Sequence, residues 1–339
     1  MGFAALVAVG LSACAGDGPT LPKIADLNPF KEKPQPLPGR RIPVVQTTES
    51  IANNLAEADK PIVLPPQRAN DTWAQPGGDA NNAPGHLALN GTVRQVWTGD
   101  AGEGSSKAAR IMASPIVFDG RVYTLDAEGK VSGFSLSGSR VFQVSTMPEN
   151  ETGAGGHGGG LAAENGRLYV TNGFGVAAAL DPQSGKALWQ KNLGSPVRAA
   201  PTASGDKLFV VTVSGRFYCL NGSDGAELWA VRGLPQQASL LTSTSPAVDG
   251  DIVVVPYPSG DLMALKVSDG TPVWSENLAR TRQTSQLASM SDAARPAIDG
   301  GIVFAVGHAG RMVATQAATG ERLWSINVPG TQTPWVAGD

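Results

Sequence analysis

The sequence predicts an all-β protein, a β-propeller of four-stranded sheets, mainly because one ten-residue pattern recurs along it. The pattern ends in Trp and has a Gly four residues before it. The Trp residues are 40, 45 and 50 residues apart, and such a period is typical of repeat proteins. Gly provides 42 of 339 residues and Pro 25, which favours short strands joined by tight turns. The copies read L-D-P-Q-S-G-K-A-L-W at 180–189, L-N-G-S-D-G-A-E-L-W at 220–229, L-K-V-S-D-G-T-P-V-W at 265–274 and T-Q-A-A-T-G-E-R-L-W at 315–324.

Each repeat predicts four strands in a fixed order. An X-Pro pair begins most of them, because proline at the start of a strand costs no ladder hydrogen bond. An Asp-Gly, Gly-Asp or Asn-Gly turn follows, and Asp-Gly and Asn-Gly suit type I′ hairpins. A β-rich run and a second Gly turn come next, a third strand leads into the ten-residue pattern, and a fourth strand begins near its Trp. The β-rich runs are R-V-Y-T-L at 121–125, R-L-Y-V-T at 167–171, K-L-F-V-V at 207–211, D-I-V-V-V at 251–255 and G-I-V-F-A at 301–305.

Four strands with three short turns form one propeller blade, whose faces are buried only by neighbouring blades. We therefore expect the recurring Trp side chains to fill the wedge between adjacent blades, each indole N–H donating to a turn carbonyl. The Gly four residues earlier should permit a tight turn with positive φ. A degenerate earlier copy has Phe142 near the Trp position. The predicted inter-blade residues are Trp189, Trp229, Trp274 and Trp324.

The composition argues against several kinds of site. The net charge is −3 and no basic patch stands out, so no nucleic-acid partner is predicted. The two Cys residues, Cys14 and Cys219, cannot build a disulfide framework. Cys219 lies within R-F-Y-C-L, where we interpret it as a small buried hydrophobic residue rather than a reactive thiol.

The N-terminus predicts export and a lipid anchor. Residues 1–13 are apolar but too short to span a bilayer, which is typical of a signal peptide. The stretch L-S-A-C at 11–14 resembles a bacterial lipobox, so Cys14 is the expected lipidation site; a chance apolar N-terminus is the alternative. The residue after Cys14 is Ala15 rather than the Asp that favours inner-membrane retention. This predicts an outer-membrane lipoprotein that faces the periplasm. Residues 14–70 then form a Pro-rich tether and 71–339 the propeller.

Repeats of the form L-D-x-x-[ST]-G-x-x-x-W resemble the PQQ-type propeller repeat, which quinoprotein alcohol dehydrogenases share with the BamB lipoproteins of the outer-membrane β-barrel assembly machine. The lipobox, the tether and W-A-Q-P-G-G-D-A-N-N-A-P-G-H at 73–86 resemble BamB of the alphaproteobacterial kind. This resemblance implies eight PQQ-like blades. About five repeats and a leader with Trp73 and Trp97 are recognisable, so we expect the propeller to be incomplete at the C-terminus. The leader resembles the strand that closes the last blade.

The resemblance to BamB implies a non-enzymatic scaffold without a cofactor. It would bind a BamA-type barrel subunit and assist the insertion of barrel proteins, with unfolded outer-membrane proteins as further partners. The alternative is a degenerate quinoprotein dehydrogenase or another ligand-binding periplasmic propeller.

A quinoprotein needs a vicinal Cys pair, acidic calcium ligands and a catalytic Asp at the ring centre. The Cys pair is absent, and no catalytic arrangement or metal-ligand spacing repeats, so we predict neither a catalytic nor a metal site. We interpret His86, His157 and His308 as turn or loop residues, and G-A-G-G-H-G-G-G at 153–160 as a flexible connection.

Two connections between blades are longer than the others and predict a partner-binding surface. Pro246 follows Trp229 by 17 residues and Pro296 follows Trp274 by 22 residues, whereas the corresponding proline follows Trp189 by only 12. Because they occupy the same place in consecutive repeats, they should lie side by side on one face. Apolar residues in both suit a protein contact; the alternative is that they fold back onto their own blades. The predicted partner-binding residues are Leu240, Leu241, Leu287, Met290 and Asp292, with the first two and Asp292 at the centre.

Overall fold

The computed structural model describes residues 63–89, 91–107, 109–151, 156–233, 244–257, 260–278, 293–308 and 310–338, and these ranges contain strands and turns but no helix. The strands are β1 Ile116–Phe118, β2 Arg121–Leu125, β3 Lys130–Ser135, β4 Arg140–Ser145, β5 Gly159–Glu164, β6 Arg167–Asn172, β7 Val176–Leu180, β8 Ala187–Asn192, β9 Thr202–Ser204, β10 Lys207–Val211, β11 Arg216–Asn221, β12 Glu227–Arg232, β13 Ala247–Asp249, β14 Ile252–Pro256, β15 Asp261–Lys266, β16 Pro272–Asn277, β17 Ala297–Asp299, β18 Ile302–Gly307, β19 Arg311–Gln316 and β20 Arg322–Ile326.

These strands form five antiparallel sheets of four consecutive strands each: β1–β4, β5–β8, β9–β12, β13–β16 and β17–β20. The chain completes one sheet before it begins the next, which is the blade order of a propeller. The five predicted β-rich runs supply the second strands of the sheets. The prediction of an all-β propeller with four-stranded blades is therefore confirmed.

The turn between the first two strands is two residues long in every sheet. Asp119-Gly120 and Asn165-Gly166 have positive φ at both residues, the type I′ arrangement that their sequences predicted. In the last two sheets the turns are Gly250-Asp251 and Gly300-Gly301, one residue later than predicted. The shift arises because the preceding Asp pairs as the last residue of the first strand.

Within the described residues, the hydrophobic core contains four clusters, each shared by two consecutive sheets. Successive side chains of a strand point to opposite faces, so one strand serves two clusters. In β6, Leu168 and Val170 pack towards the first sheet, while Tyr169 between them packs towards the third. Each inner sheet is thus buried on both faces by its neighbours, as the blade interpretation requires.

The first strands of consecutive sheets lie against one another. The segment 73–82, which we call the axial segment, runs along these strands and contacts all five. Its sequence suggested part of a closing strand, but it bonds to the sheets one after another instead. The hydrogen bonds are Trp73 N to Val117 O (2.7 Å), Ala163 N to Ala74 O (2.8 Å), Gln75 Nε2 to Ala203 O (2.7 Å), Val248 N to Ala80 O (2.7 Å) and Ile298 N to Asn81 O (2.8 Å).

The glycine-rich segment that leads into β5 is closely packed where the structure describes it, over residues 156–160. Gly158 and Gly159 have positive φ. A Cβ at Gly159 would overlap the carbonyl oxygen of Thr171, and one at Gly160 would overlap the Ala200 side chain. These glycines therefore allow backbone segments to approach one another, and the interpretation of this part as a flexible connection is wrong.

Candidate protein-binding surface

Three of the four predicted inter-blade Trp side chains lie between consecutive sheets and are half-buried. Each indole spans to the next sheet and donates a hydrogen bond to the turn between that sheet's third and fourth strands, as predicted. The bonds run from Trp189 Nε1 to Gly222 O (2.9 Å), from Trp229 Nε1 to Val267 O (3.1 Å) and from Trp274 Nε1 to Ala317 O (2.7 Å).

The Gly of the ten-residue pattern has a second role that the sequence did not reveal. Gly225 has φ +74°, which the turn requires, and a Cβ there would lie 2.6 Å from Cε3 of Trp189 in the preceding sheet. Gly270 stands in the same relation to Trp229, also at 2.6 Å. The Gly of each sheet therefore makes room for the Trp of the sheet before it.

Two aromatic residues outside the four-copy pattern occupy equivalent positions. Trp97 donates from Nε1 to Leu136 O (2.9 Å) and lies against Gly138 of the first sheet. Phe142 lies against Gly185 of the second sheet, so the degenerate copy also works as an inter-blade contact.

Trp324 differs from the other three predicted Trp residues. Its side chain is 41% exposed, and its ring contacts Phe304 of the same sheet, with ring centroids 6.1 Å apart. Its indole therefore contributes less to inter-sheet packing within the described residues than those of the other three.

The two long connections begin on one side of the propeller, which we call the loop face. It carries the turns between the second and third strands, and the fourth strands end there. Gly233, where the first long connection begins, donates to Gly215 O (2.7 Å); Leu278, where the second begins, donates to Gly260 O (3.1 Å). Both acceptors belong to such turns, so both connections leave the sheets on this face.

The inner ends of the two connections meet. Ser245 ends the first and Arg295 the second, and each precedes the proline before a first strand. Arg295 Nε donates to Ser245 Oγ at 2.9 Å. The described inner ends of the connections therefore lie side by side.

Arg295 is a buried charged residue that the sequence analysis did not single out. It is 9% exposed, and burial lowers the pKa of its guanidinium to about 10, so it stays charged near neutral pH. Hydrogen bonds to Ser245 Oγ and to Thr333 Oγ1 (3.2 Å) offset part of the cost of burying this charge. One feature of the sequence could have drawn attention to Arg295. In the X-Pro pairs that begin the repeats, it occupies the position where three other copies have Ser or Ala and the copy at Pro334 has Thr.

The predicted partner-binding residues Leu240, Leu241, Leu287, Met290 and Asp292 lie outside the described residues, and so does Cys14. Their roles stay predictions. The structure describes the ends of the two connections that carry the predicted partner-binding residues, and the residues that hold those ends.

The residues present do not fit a quinoprotein site. Cys219 has no adjacent Cys, and it is fully buried in β11, where desolvation raises the pKa of its thiol to about 12. Over the described ranges, no group of three or more His, Cys, Asp or Glu side chains could hold a metal ion. His86, interpreted as a turn residue, bonds through Nδ1 to Pro65 O (2.7 Å).

Among the residues that the structure describes, no helix is long and apolar enough to cross a membrane.

A family model described as "Outer membrane protein assembly factor BamB" matches residues 128–339, which is more than half of the chain. The chain belongs to the BamB family. The BamB protein of Shewanella oneidensis is 28% identical over 142 residues, which cover 39% of this chain and 35% of that protein. Matches to the first curated relatives span only 34% to 35% of the relatives' length and 39% to 42% of this chain.

Solved structures agree with the BamB fold. The structure of BamB from Moraxella catarrhalis superposes with a TM-score of 0.58, at 22% identity, covering 68% of each chain. A europium-containing methanol dehydrogenase gives a TM-score of 0.59 at 15% identity, covering 76% of this chain and 58% of that one. At these identities, the structural matches show a shared propeller fold and nothing about chemistry.

Proposed function

We propose that this protein is a non-enzymatic scaffold lipoprotein of the outer-membrane β-barrel assembly machine. It binds the BamA-type barrel subunit through the two long connections on the loop face and assists the insertion of barrel proteins. Unfolded outer-membrane proteins are a further class of partner. Cys14 carries the lipid anchor, which places the propeller at the periplasmic face of the outer membrane.

One observation carries the proposal: in this member of the BamB family, two consecutive repeats have long connections whose inner ends are hydrogen-bonded to each other. Connections of different length on one face of a repeat protein often mark its binding surface. The bond between Arg295 and Ser245 keeps the two inner ends in contact, so the segments extending from them can serve one partner. Leu240 and Leu241 supply apolar anchors in the first segment, and Leu287 and Met290 in the second.

The experiment is a pull-down from detergent-solubilised membranes of the source organism, with the barrel subunit identified by mass spectrometry. The variant Leu240→Ala/Leu241→Ala should lose the barrel subunit while its circular dichroism melt stays nearly unchanged.

The matched control is Val141→Ala/Leu188→Ala. It removes two exposed aliphatic side chains, 45% and 50% exposed, from strands away from the long connections. The control should retain the barrel subunit. Equal recovery with both double variants, or loss of binding only together with unfolding, would count against the proposal.

The alternative, a ligand-binding propeller related to quinoprotein dehydrogenases, is supported by the shared fold and by a short sequence match. The dehydrogenase subunit of the alcohol dehydrogenase (quinone) of Acetobacter aceti is 32% identical over 97 residues, which cover 25% of this chain and 13% of that protein. A calorimetric titration with pyrroloquinoline quinone and Ca²⁺ separates the two. Binding at micromolar concentration would favour the alternative, and no heat of binding is expected for the scaffold.

A further inference from the structure

A cleft opens between the fourth sheet (β13–β16) and the fifth sheet (β17–β20) on the side opposite the loop face. We call this side the turn face, because it carries the turns between first and second strands and those between third and fourth strands. The cleft has a volume of about 590 Å³, within the range of sites that bind small groups. Its rim and walls include Asp249, Asp251, Ile252, Ile302 and Leu323.

The first residue of the second strand differs between the early and the late sheets. In the first three sheets it is a cation, namely Arg121, Arg167 or Lys207. Arg121 reaches the next sheet, where its Nη1 donates to Pro182 O at 3.2 Å in the turn between the third and fourth strands. In the fourth sheet the same position is occupied by Ile252, so the cleft lacks a cation of its own.

Two further differences between the repeats enlarge this space. Tyr123 and Tyr169 donate from their hydroxyl groups to the turn of the next sheet, but the equivalent residue of the fourth sheet is the smaller Val254. In the fifth sheet, Thr315 occupies the position of a buried leucine in the second to fourth sheets. These leucines are Leu180, Leu220 and Leu265.

The hydroxyl group of Thr315 is buried without a partner. Thr315 is 1% exposed, and its Oγ1 forms no hydrogen bond with any described residue. Its side chain is on the same side of the sheet as those of Val313 and Ala317, which pack towards the fourth sheet, and Ala317 lines the cleft. Because buried hydroxyl groups are normally hydrogen-bonded, this one indicates a polar group that enters from the cleft.

The two carboxylates at the rim are also without partners. Asp249 and Asp251 are exposed, and neither side chain forms a hydrogen bond or an ion pair with another residue. The third sheet differs at the equivalent turn, where Asp206 pairs with Lys207 at 3.1 Å. Since Ile252 replaces this lysine in the fourth sheet, the negative charge of the rim is not neutralised locally.

We propose that this cleft binds an arginine side chain from an extended segment of a partner protein. The guanidinium group takes the place that Arg121 has between the first two sheets, and it donates to the rim carboxylates and to Thr315 Oγ1. An arginine suits the cleft because its planar group carries five donors and its methylene stem is apolar. The stem packs against Ile252, Ile302 and Leu323. The cleft lies on the face opposite the long connections, so the inference does not depend on binding of the barrel subunit.

The test is a titration of the purified full chain, labelled with ¹³C at its isoleucine δ1 methyl groups, followed by nuclear magnetic resonance. The probe is the peptide acetyl-Ala-Arg-Ala-amide. Its matched control replaces the arginine with citrulline, which has nearly the same shape but no charge. The arginine peptide should shift the methyl signals of Ile252 and Ile302 in a saturable manner and leave that of Ile116, in the first sheet, unchanged. The citrulline peptide should bind at least roughly tenfold more weakly.

Two variants assign the binding to the cleft. Asp249→Asn/Asp251→Asn should weaken binding of the arginine peptide roughly fivefold to tenfold, because it removes both rim charges. Its matched control is Glu149→Gln/Glu151→Gln, which removes two exposed carboxylates from the segment between β4 and β5 and should bind the peptide as the wild type does. Ile252→Arg should abolish the shift at Ile302, because its own guanidinium fills the cleft.

Equal affinity for the arginine and citrulline peptides, or the absence of a saturable shift at Ile252 and Ile302, would overturn the inference. An equal loss of affinity in the two double variants would do the same, since it would show only a long-range effect of net charge. Circular dichroism melts confirm that each variant is folded. Because no barrel subunit is present, failure of this titration leaves the proposed function untouched, and failure of the pull-down leaves the cleft untouched.

Discussion

Replacing Gly225 with Ala tests whether the Gly of each repeat serves the neighbouring sheet as well as its own turn. The matched control is Gly205→Ala in the same sheet. Both glycines have positive φ, +74° and +59°, but a Cβ at Gly205 meets no atom within 4 Å, whereas one at Gly225 lies 2.6 Å from the ring of Trp189. The two variants thus share the backbone strain and differ in the inter-sheet contact.

The expected magnitudes follow from these contacts. Alanine in a left-handed conformation costs about 1 kcal/mol, and Gly205→Ala should lower the free energy of unfolding by about that amount. Gly225→Ala must also displace the Trp189 ring, which adds about 1–2 kcal/mol of overpacking. The displaced ring weakens its 2.9 Å hydrogen bond to Gly222 O, which adds about 1 kcal/mol. Gly225→Ala should therefore cost about 3–4 kcal/mol.

Equilibrium urea unfolding, followed by Trp fluorescence and far-ultraviolet circular dichroism, measures both variants. In a Trp189→Leu background the extra cost of Gly225→Ala should shrink, because the smaller side chain leaves room for the methyl group. Equal destabilisation by the two Gly substitutions, or an undiminished cost in the Trp189→Leu background, would refute the reasoning.

Two further predictions follow from the structure and a third from the sequence. Trp274→Phe should lower the free energy of unfolding by about 1 kcal/mol or more, because it loses the hydrogen bond to Ala317 O. Trp324→Phe should change the free energy of unfolding little, because Trp324 is 41% exposed. The midpoints of urea unfolding compare the two variants. Burial raises the pKa of Cys219 from 9.0 to about 12, so its contribution to stability is complete below pH 9 and is lost as the pH rises towards 12. The wild type should therefore lose more stability over this window than Cys219→Ala, and thiol reagents should not modify Cys219 in the folded protein. Cys14→Ser should release the protein from the outer-membrane fraction, and its retention after a high-salt wash would contradict a lipid anchor.

The sheet order and the inter-sheet aromatic residues could be predicted because they depend on short-range patterns. The alternation of apolar residues, the turn dipeptides and the position of Trp are all visible within about ten residues. The predicted β-rich run at 121–125, for example, is β2 without change. The turns at Gly250 and Gly300 were misplaced by one residue because several neighbouring Asp and Gly residues can form a two-residue turn, and strand pairing decides among them.

The axial segment and its contacts could not be predicted because they join residues far apart in sequence. Asn82 bonds to Pro246 and Pro296, and no local pattern relates these positions. We interpreted the glycines near His157 as a flexible connection. Glycine is common both in mobile segments and where two backbone segments approach closely, and the sequence does not distinguish the two cases. Arg295 gave a weak signal as the one charged residue in the X-Pro series, but only the fold shows which hydroxyl groups it meets.

Site-specific photo-crosslinking in cells tests the central claim most directly. A photoreactive amino acid placed at Leu240 or Leu241 should crosslink to the BamA-type barrel subunit. The same amino acid at Leu188, on the outer strand of a sheet without a long connection and 50% exposed, should not. Absence of the barrel-subunit crosslink from both Leu240 and Leu241, with the variants folded and expressed at wild-type levels, would contradict the account.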